Sequence, residues 1–200
     1  MMAMLGDPLE AIVIGGSAGS MTALTAILTA LPAKFAVPIA AVLHIPPMSR
    51  SLLAQVLSSQ CALTAREAED KEPLAASTVY VAPPNYHLLI ERTHTFSLSA
   101  DEPVNFSRPA IDVLFESAAT AFGSRLAALV LTGANSDGAL GLLRVFEAGG
   151  TALVQDPDTA AVRTMPEAAL RAVPSAHVLR VEEIAPLLIR LAAGFGPEEA

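Results

Sequence analysis

Apolar residues along this 200-residue chain fall into two patterns. Short uninterrupted runs have the length of strands: AIVIG at Ala11–Gly15, VPIAAVL at Val37–Leu43, LAALVL at Leu126–Leu131 and TALVQ at Thr151–Gln155. Strands without polar alternation are covered on both faces, which is the state of a parallel sheet sandwiched by helices. Between the runs, helical patterning predicts helices over Met21–Leu31, Ser49–Ser59, Pro109–Phe122, Asp137–Ala148 and Ile184–Ala193. Pro32 stops the first of these, Gly149 and Gly150 close the Asp137–Ala148 helix, and Pro109 suits a first-turn position. His177 starts a late strand. Leu63–Arg66, Thr78–Val81, His87–Arg92 and Thr95–Ser99 are short, turn-separated and partly alternating. They read as a β-hairpin or meander inserted between the two halves. Repeated strand–helix units predict an α/β fold built on a mostly parallel, doubly wound sheet.

Composition narrows the function classes. Hydrophobic residues make up 52% of the chain, a globular value, and the length suits one domain, residues 1–200 with a core over about 11–193. A net charge of -8 argues against nucleic acid and anionic membrane as partners, since both demand a basic footprint. No apolar stretch is long enough to span a bilayer, and the N-terminus lacks the basic start and apolar run of a secretory signal. Cys61 is the single cysteine, so no internal disulfide and no cysteine metal cluster can form. A reducing, cytoplasmic setting follows as the expectation.

Open α/β sheets place their sites at the carboxyl ends of the strands. After the first predicted strand comes Gly15-Gly16-Ser17-Ala18-Gly19-Ser20, after the second His44, and after the third Thr132-Gly133-Ala134-Asn135-Ser136-Asp137-Gly138. A hydroxyl, an imidazole and a carboxylate thus share one predicted rim, the three groups that nucleophilic catalysis by serine requires. Gly15–Gly19 also fits G-x-S-x-G, in which glycines clear the way for a serine on a strand-to-helix turn. The helix that follows offers free N–H groups, and that of Ala18 is a candidate oxyanion donor. Other readings of each residue stay open. The Gly/Ser turn also suits a plain tight connection or a phosphate cradle. It lacks the Gly-Lys-Ser/Thr ending of a P-loop, however, and the second strand ends on His44 rather than on an acidic residue. Asp137 fits the N-cap of its own helix, and Asp156 is a rival acid. His87, His94 and His177 are the histidines that this rim does not use. The chain order Ser, His, Asp differs from that of α/β-hydrolases.

At these residues the chain resembles the catalytic domain of chemotaxis protein-glutamate methylesterases of the CheB type. The segments that carry the likeness run in the family's order: AIVIGGSAGS, AAVLHIPP, STVYVAPPNYHLL, DEPVNFSRPAIDVLFESAA, ALVLTGANSDGALGL, AGGTALVQDP and VRTMPEAAL. The resemblance implies a three-layer α/β/α fold, with a mainly parallel sheet and an antiparallel β-hairpin. It also implies hydrolysis of glutamate γ-methyl esters on chemoreceptor helices, with release of methanol, and in some members deamidation of receptor glutamines. The family's nucleophile falls on Ser17, its base on His44 and its acid on Asp137. Where the family's loop usually reads Leu-Thr-Gly-Met-Gly, Ala134 and Asn135 replace Met-Gly, so the backbone N–H of Ala134 becomes the second oxyanion donor and the pocket changes shape.

Arg108 and Asn135 are the candidate substrate-binding residues; Arg108 equally suits a surface salt bridge. No metal and no organic cofactor is expected. Family members commonly carry an N-terminal phosphorylatable receiver domain. Here the first strand begins within about the opening dozen residues, so the chain resembles stand-alone members and a separate response regulator is the expected regulatory partner. The alternative is a CheB-like signalling or interaction module with weak or no catalysis. Replacing Asp137 is expected to lower turnover greatly with little loss of fold stability.

Overall fold

The computed structural model describes residues 8–44 and 52–196. In chain order its strands are β1 (Ala11–Gly16), β2 (Ile39–Leu43), β3 (Thr64–Glu67), β4 (Thr78–Val81), β5 (His87–Ile90), β6 (Phe96–Ser99), β7 (Leu126–Val130), β8 (Thr151–Gln155) and β9 (His177–Leu179). Its helices are α1 (Ser20–Ala30), α2 (Leu53–Gln60), α3 (Ile111–Phe122), α4 (Ala139–Glu147), α5 (Thr164–Ala172) and α6 (Val181–Ala192). Seven strands form one sheet in the order β3-β4-β2-β1-β7-β8-β9, and every pairing in it is parallel. β5 and β6 pair antiparallel outside that sheet and rest on α3.

The continuous apolar runs are explained by burial on both faces. Alternate residues such as Ile12, Ile14, Ile39, Leu43, Leu129 and Leu131 pack with α1, α2 and α6. Their neighbours Val13, Ala40, Val42, Ala128, Val130 and Val154 pack with α3, α4 and α5 and with the β5–β6 pair. The central strands β1, β2 and β7 therefore contribute to two cores at once, and no polar position interrupts them.

The structure corrects the reading of the middle segment. Only β5 and β6 form the inserted hairpin; β3 and β4 join the main sheet, with β4 running parallel between β2 and β3. The alternating look of TVYV misled because Thr and Tyr carry polar handles, yet all its residues are buried. Tyr80 Oη accepts the Ala75 N–H at 3.0 Å and the Thr78 hydroxyl donates to the Ala76 carbonyl at 3.2 Å, so both bury without loss. Pro109 stands two residues ahead of the first helical residue, Ile111, rather than inside the first turn. The predicted Ser49–Ser59 helix begins at Leu53; residues 49–51 lie outside the described residues.

The chain lays β1 in the middle of the sheet and β2 beside it, reaches the edge with β3, inserts β4 between β2 and β3, and then crosses to β7, β8 and β9 on the other side. The reversal falls between β1 and β7, so the crevice at their carboxyl ends is the place for a site. Gly15 shapes that crevice, because a Cβ there would meet Ile111 Cγ2 at 2.2 Å, far inside contact distance. The missing side chain lets the first residue of α3 sit against the sheet. Gly15→Ala is expected to lower unfolding stability by about 1–3 kcal/mol through overpacking, measured from the urea midpoint.

Candidate active site

The ends of three adjacent strands meet in this crevice. Pairing of Gly16 with Leu43 in register sets Ser17 and His44 side by side at the sheet edge, about one strand spacing apart. Backbone bonds fix both: the Ser17 N–H donates to the Thr132 carbonyl at 2.9 Å, and the His44 N–H donates to the Gly16 carbonyl at 3.0 Å. The Ser17 carbonyl in turn accepts both the N–H and the hydroxyl of Ser20, at 3.0 and 2.6 Å, which locks the turn into α1. Gly19 takes φ of 80° in that turn, a left-handed conformation that favours glycine, and a Cβ there would strike the Ala161 methyl at 2.5 Å. A Cβ on Gly133 would lie 3.0 Å from Ser17 Cβ, so the loop after β7 is packed directly against the serine.

Asp137 closes the arrangement. Its Oδ2 accepts from His44 Nε2 at 2.9 Å; the carboxylate is fully buried, and the imidazole is 13% exposed. In that bond Nε2 is the donor to the carboxylate, so in the neutral imidazole Nδ1 is the nitrogen with a free lone pair. Ser17 is half-buried, and its hydroxyl makes no hydrogen bond to His44 among the described residues. Contacts between a nucleophile and its base are often long until substrate is bound. The N–H groups of Ala18 and Ala134 donate to no protein acceptor among the described residues, and both alanines are exposed.

The carboxylate does not cap its own helix, the competing reading of Asp137. The N-cap of α4 is Gly138. Instead Asp137 accepts the N–H groups of Ile111 at 2.7 Å and Asp112 at 3.1 Å, the first two residues of α3. Asp112 returns the exchange: its Oδ1 accepts the N–H groups of Gly138 at 2.9 Å and Gly141 at 2.7 Å at the start of α4. The side-chain amide of Asn105 bridges the two acids, donating to Asp112 Oδ2 at 2.8 Å and Asp137 Oδ1 at 2.9 Å. Each helix N-terminus thus holds the other's anion, where free N–H groups and the helix dipole favour negative charge.

The two acids respond differently to this setting. Burial pushes Asp137 upward, but the hydrogen bonds from His44, Ile111, Asn105 and Asp112 outweigh it and hold the carboxyl below its usual range. Burial pushes Asp112 above its usual range, helped by the nearby Asp137 charge and opposed by the bonds from Gly141, Asn105 and Gly138.

Other expected residues fall in different places. Arg108 makes no salt bridge among the described residues; its Nη1 donates to the carbonyls of Ala100 and Asp101 at 2.9 and 3.0 Å, and its buried Nε is unpartnered there. With His44, Asn85, Phe106 and Pro109 it lines an open recess of about 270 Å³. Asn135 turns its Oδ1 inward to the Asp137 N–H at 3.2 Å. Asp156, the residue after β8, is not the partner of His44; its carboxylate accepts the N–H of Asp158 at 2.9 Å. A larger groove of about 1060 Å³ between α2 and β3 contains none of the expected site residues. Four supporting residues carry no motif of their own: Asn105, Asp112, Thr132 and Gln155. The Thr132 hydroxyl donates to the Ala18 carbonyl at 2.9 Å and accepts the Val162 N–H at 2.8 Å, and the Thr132 backbone N–H donates to Gln155 Oε1 at 2.9 Å. A buried acid in the first turn of an apolar helix was the available signal for Asp112.

These bonds revise the expected effect of replacing Asp137. Both of its oxygens accept backbone N–H groups, so the amide nitrogen of an Asn would face a donor in either orientation. Because the folded carboxyl sits below its usual range, its contribution is present above the unfolded value and lost as pH falls through the folded one. Asp137→Asn is therefore expected to cost about 1–3 kcal/mol of unfolding stability at pH 7. The deficit relative to the parent should narrow in denaturant titrations carried below the ordinary aspartate range, near pH 4.

Known proteins match this chain over nearly its whole length. The family model for CheB methylesterase covers residues 12–188. A protein of Leptospira interrogans, provisionally named protein-glutamate methylesterase/protein-glutamine glutaminase, is 52% identical over 182 residues, covering 91% of this chain and 94% of that protein. The protein-glutamate methylesterase/protein-glutamine glutaminase of Azospirillum brasilense is 36% identical over 188 residues, and this chain spans 48% of its length. The crystal structure of the Thermotoga maritima CheB methylesterase catalytic domain superposes with a TM-score of 0.88 at 35% identity, covering 92% of this chain and 98% of that one. The seven-stranded parallel sheet, the separate antiparallel pair and this extent of sequence identity establish that the chain belongs to the CheB methylesterase family.

Proposed function

We propose that the protein is a serine hydrolase that removes methyl groups from glutamate γ-methyl esters of chemoreceptor proteins, and that the same site deamidates receptor glutamines. The observation that carries this reading is the His44 Nε2–Asp137 Oδ2 bond at the end of the strand beside Ser17. In the proposed step, Ser17 Oγ attacks the γ-carbonyl as its proton passes to His44 Nδ1. Asp137 keeps the imidazole in the Nε2–H form and stabilises the imidazolium. The N–H groups of Ala18 and Ala134 receive the oxyanion; one such donor typically contributes about 3–4 kcal/mol. His44 then protonates the departing methoxide. A water, activated by the same nitrogen, hydrolyses the acyl-enzyme and restores Ser17.

Arg108, fixed by two backbone carbonyls, orients the substrate backbone at the recess. The Asn135 amide nitrogen makes no hydrogen bond among the described residues, and in this reading it meets the substrate. The catalytic unit is one domain over about residues 11–193. It acts on the cytoplasmic helices of receptors, with a separate response regulator as its controlling partner. Among the described residues no helix is long and apolar enough to cross a membrane.

Purified protein should release methanol from a methylated receptor fragment. Ser17→Ala should reduce that release about a thousandfold or more while leaving the unfolding midpoint near the parent's. Methanol release by Ser17→Ala at the parent's rate would remove the assignment.

A further inference from the structure

One aromatic residue on the rim of the site has no role in the mechanism and sits where neither its backbone nor its side chain is comfortable. Val104 and Ser107 exchange both backbone hydrogen bonds, at 3.1 and 2.9 Å, closing a tight turn with Asn105 and Phe106 at its tip. Both tip residues have positive φ, 51° and 61°, the geometry of a type I′ turn. Asparagine tolerates that conformation, and Asn105 uses it to aim its amide at Asp112 and Asp137. Phenylalanine does not favour it, and glycine is the usual second residue of such a turn. Phe106 nevertheless stands there with its side chain wholly in water, at 104% relative exposure.

Folding gains nothing from this placement. The ring buries no apolar surface, and the backbone bears a conformation that glycine would adopt freely. Strained, solvent-exposed aromatic residues next to an active site point to a binding role. Position adds to this, since Phe106 lines the same recess as His44 and Arg108. The turn is also pinned to the acid of the site through Asn105, so the backbone that carries the ring is held at a fixed place relative to His44. The recess of about 270 Å³ lies below the range of about 300–1,000 Å³ usual for small-molecule sites. It suits one side chain of a larger substrate whose remainder lies across the rim.

We infer that Phe106 is a specificity residue: an aromatic anchor that docks the polypeptide flanking the scissile glutamyl ester. The inference rests on the proposed esterase reading and deepens it by naming the surface that selects a protein substrate over a small ester. The ring does no chemistry. It contributes contact with an apolar side chain on the substrate helix, from a backbone turn that the Asn105 clasp has fixed in advance, so only the ring itself is ordered on binding.

Phe106→Gly separates docking from folding, because glycine relieves the positive φ while removing the ring. The unfolding midpoint should be equal to or higher than the parent's. Methanol release would be followed on two substrates, a methylated receptor fragment and N-acetylglutamate γ-methyl ester. The ratio of kcat/KM for the fragment to kcat/KM for the small ester should fall about tenfold, through a rise in KM for the fragment. Phe106→Tyr, which keeps the aromatic contact, should restore the ratio. An unchanged ratio in Phe106→Gly overturns the inference, and so does an equal loss on both substrates with a lowered midpoint, which would make the ring part of the fold. A parent protein that releases methanol from neither substrate would remove the esterase reading itself, and this inference with it.

Discussion

Two buried carboxylates facing each other across the N-termini of α3 and α4 are the constraint on which the rest of the site depends. Like charges out of water repel and resist ionisation. Here each acid is placed on the other helix's free N–H groups, and Asn105 spans both. The arrangement keeps Asp137 ionised at the cost of Asp112, which burial and its neighbour push toward the protonated form. An ionised Asp137 can hold the His44 ring by one nitrogen and leave the other toward Ser17. The chemistry proposed for the site therefore draws on the same bonds that join α3 to α4, and fold stability and base orientation cannot be separated at this residue.

The sheet supplies the second condition. Adjacent parallel strands in register bring the ends of β2, β1 and β7 to one line, and the crossover reversal between β1 and β7 opens a crevice there. Missing side chains make the crevice tight. Gly15 admits Ile111, whose N–H reaches Asp137, and Gly133 admits the serine turn against the loop after β7. Thr132 ties that loop to the Ala18 carbonyl and to the segment ending at Val162, so the two N–H groups proposed as oxyanion donors belong to one braced unit.

Much of this was legible in the sequence for a simple reason: strand ends are local signals, and a parallel sheet puts its sites at one set of ends. Ser17, His44 and Asp137 could be picked because each follows a continuous apolar run. The carboxylate exchange could not. Asp112 lies 26 residues from Gly138, and Asn105 lies 32 from Asp137, and nothing in the local pattern pairs them until α3 packs on α4. β4 escaped because its tyrosine and threonine mimic a half-exposed strand while burying their hydroxyls on backbone partners. α5 gave no clear helical period, since its buried residues are Met165, Pro166, Ala168 and Ala169. Phe106 could be seen as one apolar residue in a polar loop, but its full exposure and its positive φ are properties of the turn alone.

The central claim is that this fold activates the hydroxyl of Ser17 through a nitrogen of His44. Treatment of the native protein with a fluorophosphonate, followed by peptide mass spectrometry, tests it without any assumption about the substrate. The account predicts a single covalent adduct, on Ser17, that disappears when His44 is replaced by alanine. An adduct on another residue, or labelling of Ser17 that is indifferent to His44, would contradict it.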